Sequence, residues 1–205
     1  MEQKPLRAAP ATMRNREPIL AVLKRVIPAQ GLLLEIASGT GEHAAFMTPQ
    51  LPPALYWQPS DADPDALGNI DSYARESGCL RILPALLLDV CKSGWPVARA
   101  DAVLCCNMIH IAPFAAAEGL FNGAARILEY DAALILYGPF KRHGAHTSPS
   151  NAAFDASLRG RNPDWGVRCL ETEIVPLADR AGFVLDEIVP MPANNLTVIF
   201  RRSYI

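Results

Sequence analysis

The chain has 205 residues, of which 50% are hydrophobic and 20% are charged, and its formal net charge is −2. A chain of this size and composition can bury a full core as one domain. Its basic residues are scattered, which argues against a dedicated nucleic-acid surface but leaves open a nucleic-acid substrate that is bound briefly. No stretch of 18 apolar residues occurs, so we expect no membrane span.

The cysteines and histidines show no ligand pattern. The five cysteines are odd in number, and no pair has zinc-ligand spacing. The four histidines are not spaced as metal ligands either, so we expect no metal. Free thiols inside an apolar run behave as small hydrophobes and fit a reducing compartment. Because the N-terminal residues also lack an apolar signal core, we expect a cytoplasmic protein.

The first elements are an arm, a helix and a glycine turn. We expect residues 1–16 to form an N-terminal tail or arm, and 17–205 to form a single domain. Glu17–Ile27 has apolar residues at helical spacing, with Pro18 near its start and Pro28 at its end. Leu32–Ile36 is typical of a buried strand; the turn that follows contains Gly39 and Gly41, and a helix begins at Glu42.

Strands and helices then alternate. Asp63 and Pro64 are typical of the cap and first residue of a helix, which we expect to end at Gly78. This alternation indicates an α/β fold, a mostly parallel sheet with helices on both faces. The remaining predicted elements are Ala54–Gln58, Leu83–Leu88, Ala102–Met108, Phe114–Glu129, Ala132–Tyr137 and Glu171–Ala181.

Residues 141–168 interrupt the alternation with a polar segment that contains one predicted helix, Asn151–Arg159. An insertion at the carboxyl end of a strand lies beside the site and often shapes a substrate pocket or lid. The alternative is a segment that only packs against the domain.

Two predicted strands close the chain, Phe183–Val189 and Leu196–Arg201. The six residues between them are too few for a parallel crossover, so the pair must be antiparallel. A parallel sheet that ends with one reversed strand is the mark of the class I methyltransferase fold. A sheet that binds NAD would normally continue with further βα units.

The glycine turn predicts a cofactor that contains adenosine. Gly39-x-Gly41-x-x-Ala44 also satisfies the dinucleotide pattern, but Glu35 stands just before the turn. A carboxylate there would repel a pyrophosphate and attract the ammonium group of S-adenosylmethionine. The alternatives are a plain βα turn and an acid that serves only the helix N-terminus.

Acids and amides end the next strands. Asp61 follows Gly41 by 20 residues, a position from which a carboxylate binds ribose hydroxyls. Asp89 and Val90 end the third strand and would face adenine, while Asn107 and His110 follow the fourth. Asp61 and Asp89 could instead cap loops, and His110 could be a structural histidine in an apolar setting.

The chain resembles the methyltransferase-like protein 26 family over nearly its whole length. The resemblance implies the seven-stranded, Rossmann-like fold of methyltransferases that use S-adenosylmethionine. It implies no particular substrate. Ala37 departs from the general class, because the first glycine of the motif often lies there. The matching stretches are Arg14–Leu20, Leu34–His43, Trp57–Asp61, Asn107–Ile111, Tyr137–Phe140, Ser150–Arg159, Asn162–Arg168 and Met191–Asn195.

These observations assign a role to each candidate site residue. Glu35, Ala37, Gly39 and Gly41 would hold the methionine end, Asp61 the ribose, and Asp89 with Val90 the adenine; Asn107 and His110 would face the reaction centre, Arg14 and Asn15 would close over the cofactor, and Tyr137, Phe140, Asn151, Trp165 and Arg168 would wall the acceptor pocket. The wall aromatics could equally belong to the core.

Three functions compete at this stage. The first is methyl transfer from S-adenosylmethionine to a small or side-chain-sized acceptor. The second is an NAD-dependent oxidoreductase, which Glu35 and the final antiparallel pair disfavour. The third is a non-catalytic cofactor-binding or scaffold protein with the same fold.

Overall fold

The computed structural model describes residues 6–203, so the first five residues of the predicted arm lie outside the described residues. A seven-stranded sheet forms the centre of the molecule, in the order β3-β2-β1-β4-β5-β9-β8. Its strands are β1 Gln30–Ile36, β2 Ala54–Asp61, β3 Leu86–Leu87, β4 Ala100–Cys106, β5 Leu128–Gly138, β8 Phe183–Met191 and β9 Asn195–Arg202.

Helices cover both faces of this sheet, as the alternating pattern predicts. They are α1 Pro10–Val26, α2 Glu42–Met47, α3 Pro64–Ser77, α4 Phe114–Ile127, α5 Pro149–Arg161 and α6 Val175–Arg180. Successive strand residues point to opposite faces, so Leu33 belongs to the core under α1 and α2 while Leu34 belongs to the core under α4 and α6. Both leucines are fully buried.

The predicted reversal at the end of the chain is confirmed. β9 is antiparallel to β5 on one side and to β8 on the other, whereas β1, β2, β3, β4 and β5 pair in parallel. From β1 the chain adds β2 and then β3 on one side of β1, and it then crosses to the other side of β1 to form β4. The strand order therefore switches between β1 and β4, where open α/β sheets bind their ligands.

Several predicted boundaries differ from the structure, and two of the differences change an element substantially. The first helix begins at Pro10 rather than at Glu17, because Pro18 lies inside the helix and Pro10 takes the first position. The third strand is only Leu86–Leu87, since most of the apolar run from Leu83 does not pair in the sheet. Asp63, by contrast, caps α3 as predicted, with its side chain accepting the Asp65 N–H.

The insertion folds back on itself and on the domain. It contains the hairpin of β6 Lys141–Arg142 and β7 Ala145–His146, followed by α5. The Ser148 hydroxyl caps α5 by accepting the Asn151 N–H. Buried Asp155 accepts the Val167 N–H at 2.7 Å and pairs with the Lys141 ammonium at 3.0 Å. These contacts pin both ends of the insertion to its own helix.

No helix within residues 6–203 is long and apolar enough to cross a membrane.

Candidate functional site: the cavity above β1, β2 and β4

The loop from β1 to α2 turns sharply through three left-handed residues. Ala37, Gly39 and Gly41 have φ angles of 56°, 59° and 89°. The loop is tied to the end of β2, because the Ser38 N–H donates to the Ser60 carbonyl at 2.8 Å and the Ser60 N–H donates to the Ser38 hydroxyl at 3.1 Å. The turn is therefore held in one conformation by its neighbouring strand.

The two glycines of the turn serve different purposes. A Cβ atom built on Gly39 meets no atom within 4 Å, so the space above this residue is open. A Cβ atom on Gly41 would lie 2.7 Å from the Ile70 Cα of α3. Gly39 thus leaves room for a ligand, whereas Gly41 permits the close packing of α2 and α3.

Ala37 adopts a left-handed conformation that usually favours glycine. For a residue with a side chain, such a conformation costs about 1–3 kcal/mol, and such residues cluster at functional sites. Ala37 lines the cavity described below. Its strained backbone is therefore part of the site and not a distant irregularity.

Asp61, the last residue of β2, holds the open loop in place. Its Oδ2 accepts the Gly39 N–H at 2.9 Å, and its Oδ1 accepts the Asp63 N–H at 3.0 Å. Each carboxylate oxygen retains a further lone pair. The side chain is half-buried and lines the cavity, so it can accept hydrogen bonds from a ligand without losing those to the backbone.

A cavity of about 410 Å³ lies above the carboxyl ends of β1, β2 and β4. The structure brings five of the predicted site residues together in its wall: Asn15, Ala37, Gly39, Asp61 and Asn107. Its volume is within the range of about 300–1,000 Å³ that is usual for small-molecule sites.

Glu35 lies beneath the loop and is not among the residues that line this cavity. It is 1% exposed. Its Oε2 accepts the Ser38 hydroxyl at 2.7 Å and the Trp57 indole N–H at 3.0 Å. Its Oε1 lies 3.4 Å from His43 Nδ1. A direct contact between Glu35 and a ligand stays a prediction; its contacts here are with Ser38 and His43, which do line the cavity.

A buried polar chain continues from Glu35 across the site. His43 Nε2 lies 2.9 Å from Asn15 Oδ1, and Asn15 also bonds the Tyr137 hydroxyl. The Asn195 amide donates to the same hydroxyl at 2.9 Å. Burial raises the pKa of Tyr137, although the two amides oppose this. The chain joins α1 to the β1–α2 loop and to the ends of β5 and β9.

Asn107 follows β4 and has a φ angle of 63°. Its N–H donates to the Tyr137 carbonyl at 2.8 Å, and it precedes a 3-10 turn, Met108–His110. The adjacent Cys106 also lines the cavity, and burial raises the pKa of its thiol well above the ordinary value. The end of β4 thus presents an amide and a neutral thiol to the cavity.

His110 is fully buried next to the site and does not line the cavity. Its Nδ1 accepts the Arg168 N–H at 3.2 Å, and its ring packs edge-on against Phe140. Burial lowers the pKa of His110 to about 3, and the charge of Arg168 adds to this effect. The imidazole is therefore neutral at pH 7, with its proton on Nε2. A catalytic role stays a prediction; the geometry favours positioning over proton acceptance.

Asp89 and Val90 lie outside the cavity wall that the described residues form. The Asp89 carboxylate accepts the Cys91 N–H at 3.0 Å and lies 3.9 Å from the Lys92 ammonium. Val90 is buried, with its carbonyl against Gly119 of α4. This arrangement matches the loop-capping alternative, and adenine binding by either residue stays a prediction.

The predicted acceptor wall does not line the cavity either. Phe140 is fully buried in the core, and Trp165 lies beneath the Arg161 guanidinium. Arg168 donates to the carbonyls of Ile109, Ala112 and Asp164. Asn151 and Tyr137 are buried and engaged with neighbouring side chains, and Arg14 is exposed on α1.

Several cavity residues were missed at the sequence level: Arg7, Thr12, Ser38, His43, Asn69, Cys106 and Ile111 line the cavity without having been assigned to it. Ser38 and His43 lie in the matching stretch Leu34–His43 around the glycine turn, which was a sufficient signal for both. Nothing in the sequence indicates that Arg7 or Asn69 approaches the loop. Within residues 6–203 no three His, Cys, Asp or Glu side chains come together as a metal site.

Several methyltransferases of known structure share this fold. The chain is similar to the S-adenosylmethionine-dependent methyltransferase SibL in its apo form, with a TM-score of 0.76 and 19% identity over 95% of this chain. The mitomycin 7-O-methyltransferase MmcR gives a TM-score of 0.79 at 16% identity over 94%. CalO1, a methyltransferase in calicheamicin biosynthesis solved in its SAH-bound form, gives a TM-score of 0.72 at 15% sequence identity over 92% of this chain.

This chain spans little more than half of each of those proteins: 56% of SibL, 54% of MmcR and 54% of CalO1. At these identities the likeness shows the fold alone. The predicted seven-stranded methyltransferase fold is therefore confirmed.

A match to a protein-family model shows which family the chain belongs to. It carries the description "Protein of unknown function (DUF938)" and matches residues 6–202. The resemblance to methyltransferase-like protein 26 stays a prediction, because the matching model carries another description. Since the match covers almost the whole sequence, the chain belongs to the DUF938 family.

Proposed function

We propose that this protein transfers a methyl group from S-adenosylmethionine to a small-molecule or side-chain-sized acceptor. The observation that carries the proposal is the Asp61 carboxylate, which is tied to the Gly39 N–H at the rim of the cavity. A carboxylate in this position suits a vicinal diol, because it accepts two donors at once. The methyltransferase fold supports the same cofactor over NAD.

The residues of the cavity fit S-adenosylmethionine. The open space above Gly39 accommodates a ligand, Asp61 would hold the ribose hydroxyls, and the loop from Ala37 to Gly41 would hold the methionine end. The buried charge of Glu35 beneath the loop favours a cation above it. When bound, the cofactor supplies a methyl group on a sulfonium, which is already a strong electrophile.

The protein's own contribution is alignment and exclusion of water. Holding two reactants in line contributes about 7–11 kcal/mol to such a reaction. Asn107 is fixed by its backbone bond to Tyr137 and would face the reacting groups. His110 keeps this turn in place, because its carbonyl accepts the Gly166 N–H and its Nδ1 accepts the Arg168 N–H.

Calorimetry with S-adenosylhomocysteine and with NAD tests the cofactor. We expect the first to bind and the second not to bind. Binding of NAD without binding of S-adenosylhomocysteine would reverse the assignment and favour an oxidoreductase.

Transfer of labelled methyl groups into cell extract tests the reaction. We expect an acceptor to become labelled in the presence of the wild-type protein and to be labelled much less with Asp61→Ala. If the protein binds S-adenosylhomocysteine tightly and labels nothing, the scaffold function is favoured instead.

A further inference from the structure

The segment of residues 6–9, which we call the N-terminal strap, is fastened across the edge of the cavity. The Arg7 N–H donates to Asn69 Oδ1 at 2.9 Å, and Asn69 Nδ2 donates back to the Arg7 carbonyl at 3.2 Å. The Ala9 N–H donates to Glu42 Oε2 at 2.6 Å. Three hydrogen bonds from side chains of α2 and α3 therefore fix the backbone of the strap.

The same two side chains also hold the glycine loop. Asn69 Nδ2 donates to the Thr40 carbonyl at 2.7 Å, and Glu42 Oε2 accepts the Thr40 hydroxyl at 2.8 Å. Glu42 is 7% exposed, so its end of this junction is buried, whereas the bonds between Arg7 and Asn69 are exposed. The strap and the loop consequently share their anchors, and Arg7 and Ala9 become part of the cavity wall.

Arg7 brings a charge that the rest of the wall lacks. Among the described residues that line the cavity, it is the only lysine or arginine, while Asp61 and Asp63 supply carboxylates. Within residues 6–203 its guanidinium has no ion pair or side-chain hydrogen bond, whereas both Asp61 oxygens already accept backbone N–H groups. An anionic ligand group would find a permanently charged partner only at Arg7.

We infer that Arg7 binds the carboxylate of the cofactor's methionine tail and that Asn69 is a positioning residue that holds Arg7 at the cavity. The inference rests on the proposed function, since it concerns the same ligand. A guanidinium matches a carboxylate with two parallel hydrogen bonds, which a neutral side chain cannot supply. The strap is thus a component of the cofactor site and not only a leading segment of α1.

Two probes separate the tail from the nucleoside. S-adenosylhomocysteine contains the amino acid tail, and 5′-methylthioadenosine contains the same adenosine and sulfur without it. We expect Arg7→Ala to weaken S-adenosylhomocysteine about tenfold in calorimetry, because a charged hydrogen bond is lost. The affinity for methylthioadenosine should change less than about twofold, and Arg7→Lys should recover part of the loss.

Asn69→Ala tests the positioning role. We expect it to weaken S-adenosylhomocysteine at least as much as Arg7→Ala does, because Asn69 also holds the Thr40 carbonyl of the glycine loop. Adding Arg7→Ala to Asn69→Ala should then cost little more, since the interaction of Arg7 with the tail is already lost. Ser72→Ala, one turn further along α3, is the matched control and should leave both affinities unchanged. Additive losses in the double variant would overturn the link between Asn69 and Arg7.

The outcomes distinguish this inference from the function on which it rests. If wild-type protein binds both probes and Arg7→Ala binds S-adenosylhomocysteine unchanged, the inference alone fails. The inference also fails alone if Arg7→Ala lowers the affinity for both probes equally, because Arg7 then makes no specific contact with the tail. If wild-type protein binds neither probe, the proposed function fails and the inference fails with it. Thermal unfolding of each variant checks that the substitutions leave the fold intact.

Discussion

Asp61 is the residue at which the proposed cofactor site can be tested most directly. Replacement by alanine removes the acceptor of the Gly39 N–H and the acceptor for ribose hydroxyls. We expect Asp61→Ala to weaken S-adenosylhomocysteine by about 1–3 kcal/mol, measured by calorimetry. Asp65→Ala, in the first turn of α3 and outside the cavity, is the control. Unchanged affinity in Asp61→Ala would mean that another acid holds the ribose.

Asn15 is the middle link of the buried chain between Glu35 and Tyr137. Asn15→Ala leaves His43 Nε2 without its partner at 2.9 Å inside the protein. An unsatisfied buried polar group costs about 1–3 kcal/mol, so we expect urea unfolding to show a loss of that size. Met13→Ala, on the same helix but 55% exposed, should change stability by less than about 0.5 kcal/mol. Equal stability of the two variants would contradict a structural role for the chain.

The identity of site residues could be predicted where the motif itself positions them. Gly39, Asp61 and Asn107 follow strand ends, and parallel strands bring their carboxyl ends together. The direction of Glu35 could not be predicted, because it depends on Trp57 and His43, which approach it from other elements. The acceptor wall was placed by residue type, and aromatic residues such as Phe140 satisfy the core equally well.

Replacement of glycine by alanine should have opposite effects on stability in two helices. Gly68 is exposed inside α3, and a Cβ atom there meets nothing within 4 Å. Gly68→Ala should therefore stabilise the protein by about 0.5–1 kcal/mol, because alanine loses less backbone entropy in a helix. Gly119 lies inside α4, where a Cβ atom would overlap the Val90 carbonyl. Gly119→Ala should destabilise the protein by about 1–3 kcal/mol through overpacking.

Urea unfolding of both glycine variants checks the two signs together. Each variant makes the same chemical change in a helix, so each serves as the control for the other. A Gly119→Ala protein as stable as Gly68→Ala would show that the segment around Val90 can move away from α4 at little cost.

Which segments form helices and which form strands could be predicted, because the apolar periodicity is strong. The residues at which these elements begin and end were harder to predict. Pro18 indicated a helix start, yet α1 continues on both sides of it: Asn15 is buried before the proline, and Ile19 and Leu23 pack in the core after it. The residues from Leu83 are apolar, but most of them do not pair in the sheet, and β3 shortens to two residues. Local propensity cannot reveal which residues a sheet edge will pair.

The stability of the whole molecule should fall as the pH decreases below 6.5. The pKa of His110 is about 3 in the folded protein because of burial, against an ordinary value of 6.5. Between these values the unfolded chain binds a proton that the native protein does not bind. This stabilisation is complete above pH 6.5 and is lost at about 1.4 kcal/mol per pH unit on acidification.

The variant His110→Gln removes this titration while keeping an acceptor for the Arg168 N–H. We expect wild-type protein to lose about 1–2 kcal/mol more than His110→Gln between pH 7 and pH 5, measured by urea unfolding. Glu171 and Asp155, whose pKa values are lowered, contribute only at more acidic pH. Equal pH slopes would mean that His110 gains a proton without leaving its native position.

The topology as a whole followed from two features of the sequence. Alternating elements require parallel pairing, and the six residues between the last two predicted strands exclude a crossover. Contacts between distant segments could not be inferred in this way. The hydrogen bond between Arg7 of the strap and Asn69 joins residues 62 positions apart, and neither partner belongs to a periodic pattern.

The hydrogen bond between Trp57 and Glu35 has a practical consequence. The indole is fully buried, and its N–H donates directly to the carboxylate beneath the glycine loop. Indole fluorescence responds to nearby charge, so a cation arriving above the loop should change the emission of Trp57. A titration of Trp57→Phe would subtract the signal of the other two tryptophans. The fold thus contains an intrinsic optical reporter for occupancy of its own site.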